Sequence, residues 1–90
     1  MKNEFKAFLI EKGYKEYTKS GFPSTVYDYL GRIEKICMWE GMSWQELAGD
    51  VDRLIPMYDI GGEKERLGNI SHRAVINALK RYKEFVVKNI

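Results

Sequence analysis

The chain of 90 residues contains one cysteine, one histidine and two prolines, and the first two scarcities each exclude a class of protein. One cysteine cannot form an internal disulfide. One cysteine with one histidine is also too few for the four-ligand zinc sites of small domains. We therefore predict a domain with no disulfide framework, no bound metal and no cofactor.

Long apolar runs are missing as well. No stretch approaches the roughly 20 consecutive apolar residues that cross a membrane. The charged segment Met1–Lys6 is not followed by the apolar segment of a signal peptide. We expect a cytoplasmic protein that contacts no membrane, and the single thiol, Cys37, fits a reducing compartment.

The chain does have enough apolar sequence to fold. Hydrophobic residues make up 44% of the sequence and aromatic residues 13%, which separates it from disordered chains. Its length fits one domain spanning residues 1–90, because natural domains cluster near ~100–150 residues. The core of so short a domain is small, so we expect its stability to be marginal.

Apolar residues recur three and four positions apart in the first half of the chain, which is the spacing of one face of a helix. Residues 2–12 form such a segment, and Gly13 is suited to end it. A second helix is predicted from Ser24, a capping residue that follows Pro23, to Gly41. Its apolar stripe consists of Val26, Tyr29, Leu30, Ile33, Ile36 and Cys37.

Shorter helices are predicted in the middle of the chain. Ser43 and Glu46 have the spacing of a capping box, in which each residue bonds to the backbone of the other. Asp50 is positioned to cap the next helix, which Pro56 should kink or shorten because proline lacks a backbone donor.

The last helix is predicted to follow a break at Asp59–Gly62 and an exposed connector over residues 63–69, for which one helical turn is the alternative. Ser71 is suited to cap it. Its apolar stripe consists of Val75, Ile76, Leu79, Tyr82, Phe85 and Val86. Because no segment alternates as a strand would, we predict an all-α fold, a single small bundle of four to five helices.

Aromatic and methionine side chains are expected to complete the core. Trp39 and Trp44 are predicted to pack over the end of the bundle, with a partner-binding surface as the alternative. The aromatic residues expected to fold back from the first loop onto the core are Tyr14, Tyr17 and Phe22. The methionines interpreted as core filling rather than metal or cofactor ligands are Met38, Met42 and Met57.

Charge is distributed unevenly, although the net charge is only +2. Residues 71–90 contain five basic residues and one acidic residue, whereas residues 43–70 contain three basic and six acidic residues. A basic last helix can steer a polyanion to one face of the molecule. Lysines that only solvate an exposed helix are the alternative interpretation.

Two segments resemble a known family. Their forms are Thr25-x-x-x-Tyr29-Leu30-x-x-Ile33-x-x-Ile36 and Ser71-(four residues)-Ile76-x-Ala78-Leu79-Lys80-x-Tyr82. With Phe5–Leu9 as a first helix, the chain is similar over about residues 5–87 to the core-binding domain of tyrosine recombinases, the phage-type integrases. The resemblance implies a SAM-like helical bundle that clamps one side of duplex DNA during DNA integration and recombination.

The chain also departs from that family. The links Lys15–Phe22 and Gly61–Ile70 are both longer than the usual ones. The family's catalytic half, with its tyrosine nucleophile and basic residues, is missing from this sequence, and His72-Arg73 does not supply it. We expect no enzymatic activity, no catalytic residue and no small-molecule substrate. A fragment of a longer recombinase and a stand-alone accessory protein of a mobile element are both open.

The polar faces of the two long helices supply the candidate DNA contacts. Arginine pairs with guanine edges and asparagine with adenine, whereas lysine meets phosphates. Arg73, Asn77 and Lys80 have the spacing of one groove-facing edge of the last helix. The candidate DNA-binding residues are Arg73, Asn77, Lys80, Arg81, Lys83, Thr25, Arg32 and Lys35.

The sequence therefore supports two hypotheses for the function. The first is a non-enzymatic module that binds double-stranded DNA. The alternative is a helical protein–protein interaction module with no DNA binding, which the modest net charge and the acidic middle of the chain favour. Basic residues of both long helices on one common surface would favour the first, and exposed tryptophans in a common apolar patch would favour the second.

Overall fold

Helices account for almost all the regular structure of residues 1–88, the part of the chain that the computed structural model describes. The six helices of this part are α1 (Lys2–Glu11), α2 (Thr25–Glu40), α3 (Trp44–Ala48), α4 (Val51–Tyr58), α5 (Glu65–Gly68) and α6 (Ile70–Lys88). Within these residues there is no strand, only an isolated bridge between Tyr17 and Pro23. The all-α prediction is confirmed, but these residues form six helices and not the four to five predicted, because the connector before the last helix contains the short α5. None of these helices is both long enough and apolar enough to span a bilayer.

The ends of the two helices in the first half follow their local sequence. α1 ends at Glu11, two residues before Gly13. α2 begins directly after Ser24 and ends at Gly41, which has the left-handed conformation, with a φ of 66°, that glycine adopts without a steric penalty. The amide of the next residue, Met42, donates to the Cys37 carbonyl at 2.9 Å and closes the helix end.

The predicted capping box at the start of α3 is present. The Ser43 hydroxyl accepts a hydrogen bond from the Glu46 amide at 3.1 Å, and the Glu46 carboxylate accepts one from the Ser43 amide at 2.9 Å. Asp50 lies at the cap position of α4, but its carboxylate binds Arg53 instead of the helix backbone. α4 ends two residues after Pro56, so this helix is short, as predicted.

The core forms where α2 and α6 pack together and α1 closes over them. Phe5 of α1 is fully buried, and its ring meets those of Tyr82, Phe85 and Trp44 at centroid distances of 5.1, 5.5 and 6.1 Å. Trp39 packs separately, against Tyr58. The tryptophans therefore pack on the core as predicted, at two different places and not in one exposed patch.

α5 is packed more closely than predicted. Gly68 is buried, and a Cβ atom at this position would lie 1.8 Å from the Tyr58 carbonyl oxygen. Lys64, directly before α5, reaches back to the Glu40 carboxylate at 2.5 Å. The helical turn allowed in this connector is present as α5, but only Glu63, Arg66 and Asn69 are exposed, because glycine lets this segment lie directly on the end of α4.

The start of α6 also differs from the prediction. Ser71 does not cap the helix from an extended conformation. Instead Ser71, His72 and Arg73 form a left-handed turn, with φ values of 54°, 57° and 68°. The backbone between Ile70 and Ala74 therefore changes hand, and the long right-handed part of α6 begins only after this turn.

Two groups of side chains expected in the core lie at the surface. Phe22 is 69% exposed and Tyr17 is 52% exposed, whereas Tyr14 is half-buried against Tyr29. Met38 is 63% exposed, so its assignment to the core is wrong, while Met42 and Met57 are half-buried on the core, as predicted. Tyr17 meets only the ring of Tyr27 in α2, at 5.5 Å, and stays largely exposed. Apolar character alone therefore did not place the three misplaced side chains in the core.

Gly31 offers a stabilising substitution. It lies on the exposed side of α2, and a Cβ atom there would meet no other atom within 4 Å. We expect Gly31→Ala to raise the free energy of unfolding by about 0.5–1 kcal/mol, because alanine loses less backbone entropy in a helix. Thermal unfolding followed by circular dichroism would show a Tm higher by about 2–8 °C.

Gly41→Ala is the matched control for this substitution, because Gly41 has a positive φ that disfavours alanine. It should lower the Tm. An unchanged or lower Tm for Gly31→Ala would contradict the expected gain.

Candidate nucleic-acid interface

The outer edge of α6 carries the three residues predicted to follow a DNA groove. Asn77 and Lys80 lie one turn apart on the long part of α6, Arg73 lies in the left-handed turn before it, and all three are half-buried. The structure brings the two cations of this edge together on one carboxylate. Arg73 Nη2 lies 2.8 Å from Asp59 Oδ1, and Lys80 Nζ lies 3.0 Å from Asp59 Oδ2.

Asp59 directly follows α4, and its carboxylate is held strongly in the ionised form. The Arg73 guanidinium, the Ile60 amide and the Lys80 ammonium together hold the pKa of Asp59 well below its ordinary value. Each carboxylate oxygen is matched by one cation, and the amide donates to Oδ1 at 2.8 Å. Two positive charges share one negative charge, so this edge keeps a positive surplus of one.

Arg73 is positioned from two sides. Its Nη1 atom donates to the Asn69 side-chain oxygen at 3.0 Å, while Nη2 donates to Asp59. Its backbone belongs to the left-handed turn before the long part of α6. The turn and the two hydrogen bonds therefore fix the guanidinium over the end of α4.

The two other candidate cations of α6, Lys83 and Arg81, contact different helices. Lys83 reaches Asp52 of α4 at 2.8 Å, so it continues the line of contacts along α4 that Arg73 and Lys80 begin. Arg81 instead pairs with Glu84 at 3.1 Å, and that carboxylate also meets Lys12 of the α1 end at 3.4 Å. Arg81 thus does not join the Asp59 cluster.

The three α2 candidates differ in their surroundings. Thr25 is the half-buried first residue of α2, and Arg32 pairs with Asp28 of the same helix at 3.2 Å. Lys35 is exposed and has no ion pair within residues 1–88. No hydrogen bond or ion pair in this part of the chain links these three residues to Asp59, Arg73 or Lys80.

Neutralisation is the main electrostatic property of this surface. Five of the six candidate cations have a carboxylate within 4.0 Å, and Lys35 is the exception among the described residues. The paired cations stay accessible, because their side chains are 24–47% exposed. Ion pairs as accessible as these contribute little to stability.

Asp59 and Asn69 are the residues of this surface that the sequence did not indicate. Asp59 was recognised only as part of a chain break, and its partners follow 14 and 21 positions later. The only indication in the sequence is an acidic residue at the end of a predicted helix, and this does not show which cations the residue will bind. Within residues 1–88, no three histidine, cysteine, aspartate or glutamate side chains are grouped as a metal site requires.

The chain was compared with protein-family models, with curated proteins and with solved structures. No protein-family model matches it, and no match was found among the curated proteins or the solved structures.

Proposed function

We propose that this chain is a non-enzymatic helical module that binds double-stranded DNA along the outer edge of α6. The observation that carries the proposal is the convergence of Arg73 and Lys80 on the single carboxylate of Asp59. This arrangement holds two cations side by side with one charge uncompensated. It is suited to accept the phosphates of a nucleic acid backbone in place of the carboxylate.

The proposed mechanism is an exchange of partners. A phosphate approaching the edge competes with Asp59 for the guanidinium of Arg73 and the ammonium of Lys80. Asn77 lies between them along the helix and offers the amide that can read a base edge. Binding would release counterions from the DNA, so affinity should fall steeply as the salt concentration rises.

The proposal includes the resemblance to the core-binding domain of tyrosine recombinases. The spacing of apolar residues in α2 and α6 supports it, and both helices supply the main core. The module would then act in DNA integration or recombination in the cytoplasm, with a catalytic domain elsewhere. Lys35, Arg32, Thr25, Arg81 and Lys83 would be secondary phosphate contacts.

The test is binding to a random duplex of about 30 base pairs, titrated between about 50 and 200 mM salt. We expect Arg73→Ala combined with Lys80→Ala to weaken binding to every sequence and to lower the slope of log K against log salt by about 2, or 0.9 for each lost phosphate contact. Fluorescence anisotropy of the labelled duplex measures both quantities.

Asp59→Asn is the more discriminating variant in this test, because it should raise duplex affinity whereas the alanine substitutions lower it. It removes the internal competitor of both cations, so duplex affinity should rise severalfold. Glu11→Gln is the matched control, since it removes one exposed acidic charge from α1, away from Asp59's partners. Equal affinities for wild type, Asp59→Asn and Glu11→Gln, or no binding by any of them at about 50 mM salt, would overturn the proposal.

A protein–protein interaction module is the second candidate, and one observation favours it. Carboxylates already neutralise most cations of the proposed DNA surface. A face of balanced charge suits a protein partner better than a polyanion. Absence of duplex binding by both wild type and Asp59→Asn is the result that would select this function.

A further inference from the structure

A second surface lies in the segment that joins α1 to α2, which we call the aromatic turn (residues 14–24). Its backbone is ordered by paired hydrogen bonds, from the Thr18 amide to the Phe22 carbonyl and from the Ser24 amide to the Glu16 carbonyl, both at 2.8 Å. Gly21, with a φ of 85°, closes the tip. A further bond, from the Val26 amide to the Lys15 carbonyl, ties the turn to α2. The aromatic turn is therefore a short, two-stranded segment with a defined backbone, although it contains only one isolated bridge.

The turn holds one exposed aromatic ring on each face. Tyr17 and Pro23 form the bridge and share one face, so Phe22 lies on the opposite face. Phe22 is 69% exposed. Tyr17 is 52% exposed, and its ring rests against that of Tyr27 at 5.5 Å. These rings are available for stacking without any rearrangement of the core.

The lysines of the turn have no ion pair, unlike most cations of this protein. Eleven of the fifteen lysine and arginine side chains of the whole chain have a carboxylate within 4.0 Å, but Lys15 and Lys19 of the turn have none within residues 1–88. Glu16, the acidic residue of the turn, is occupied by Lys6 at 3.4 Å and by the Tyr27 hydroxyl at 3.3 Å. In the sequence, Lys15 and Lys19 therefore stand on either side of Tyr17, and no carboxylate of residues 1–88 pairs with them.

We infer that the aromatic turn binds single-stranded nucleic acid, with bases stacked on Phe22 and Tyr17 and phosphates held by Lys15 and Lys19. Exposed rings between free cations are the combination that recognises unpaired strands. A duplex covers the faces of its bases by internal stacking. A membrane surface fits less well, because burying both faces of the aromatic turn would also bury its polar tip, which contains Lys19 and Ser20.

This inference does not rest on the proposed duplex binding by α6, since the two surfaces share no residue. Arg73→Ala with Lys80→Ala should weaken duplex binding and leave binding to a single strand unchanged. Failure of either proposal is therefore visible while the other stands.

The experiment is fluorescence anisotropy with a labelled oligothymidylate of about 15 nucleotides at about 50 mM salt. We expect Phe22→Ala to weaken binding about tenfold, the loss of one stacked base. Met38→Ala removes an equally exposed apolar side chain from α2 and should change nothing. Lys19→Ala should weaken binding and lower its salt dependence, whereas Arg66→Ala, which removes another unpaired cation, should not.

Three outcomes would overturn the inference. Equal affinity of wild type and Phe22→Ala, or equal binding to an abasic oligomer of the same length, would show attraction by charge alone. Binding to vesicles that contain anionic phospholipid, with no binding to the oligothymidylate, would assign the turn to a membrane surface instead. Because Phe22 lies outside the core, circular dichroism of Phe22→Ala should match wild type, so a loss of binding can be assigned to the ring.

Discussion

Phe5→Ala is expected to lower the free energy of unfolding by about 3–5 kcal/mol, the usual cost of removing a buried aromatic ring. The Phe5 side chain is fully buried and joins three helices, because its ring contacts Trp44 of α3 and both Tyr82 and Phe85 of α6. A domain of this length has a total stability of roughly 5–13 kcal/mol. At the lower end of that range, the variant would be close to unfolding at room temperature.

Urea unfolding followed by far-UV circular dichroism measures this loss without relying on the fluorescence of Trp44, which the substitution itself disturbs. Phe8→Ala is the matched control, because Phe8 lies in the same helix but is only partly buried. Its loss of stability should be clearly smaller. Equal losses for the two variants would show that Phe5 is not the residue that connects α1 to the core.

Gly68→Ala is expected to cost about 3 kcal/mol, at the upper end of overpacking. A Cβ atom at this position would lie 1.8 Å from the Tyr58 carbonyl oxygen and 2.9 Å from its carbonyl carbon. Backbone atoms cannot rotate away as a flexible side chain can. The whole of α5 must move from the end of α4, and the packing of Leu67 on the core is weakened with it.

The measurement is the midpoint of thermal unfolding, which should fall by about 12–24 °C for Gly68→Ala. Gly49→Ala is the control, because a Cβ atom there would lie 3.6 Å from the nearest atom, the Glu46 carbonyl oxygen, which is an ordinary contact. That variant should keep a midpoint near wild type. A midpoint of Gly68→Ala within about 2 °C of wild type would contradict the close approach of α5 to α4.

Much of the fold could be predicted from the sequence, since the signals for α1, α2 and α3 are local. Gly41 ends α2 through its own backbone freedom, and Ser43 and Glu46 cap α3 through their own side chains. The position of α5 could not be predicted in this way. It depends on the contact of Gly68 with Tyr58, and a glycine in the sequence does not show which backbone it will touch.

Ser71 shows a different limit of sequence reasoning. Its residue type indicates a helix cap, yet its backbone is left-handed, as are those of the next two residues. None of the three is glycine or asparagine, the residues whose presence would have suggested this conformation. The exposure of Phe22 and Met38 could not be predicted either, because apolar character does not specify whether another helix covers the side chain.

The sequence indicates which cations could form the candidate site, but it does not indicate which carboxylates pair with them. Helical spacing predicts Arg73 and Lys80 on one edge of a regular helix, but Arg73 lies in the left-handed turn before the long part of α6 and meets Lys80 only through Asp59. The spacing did not indicate that Asp59 joins them, because that contact depends on how α4 packs against α6. The ion pairs decide how much positive charge the edge presents, and they are a property of the tertiary structure.

The left-handed turn at the start of α6 also determines where the molecule should open first. Each non-glycine residue in this conformation costs roughly 1–2 kcal/mol, so the turn stores conformational strain. Local opening there would release the strain, and it needs less free energy than global unfolding. The hydrogen bonds of Arg73 to Asp59 and Asn69 are what hold the turn closed. A ligand that draws Arg73 away from Asp59 would therefore speed amide exchange at the start of α6, coupling occupancy of this edge to local unfolding of the backbone.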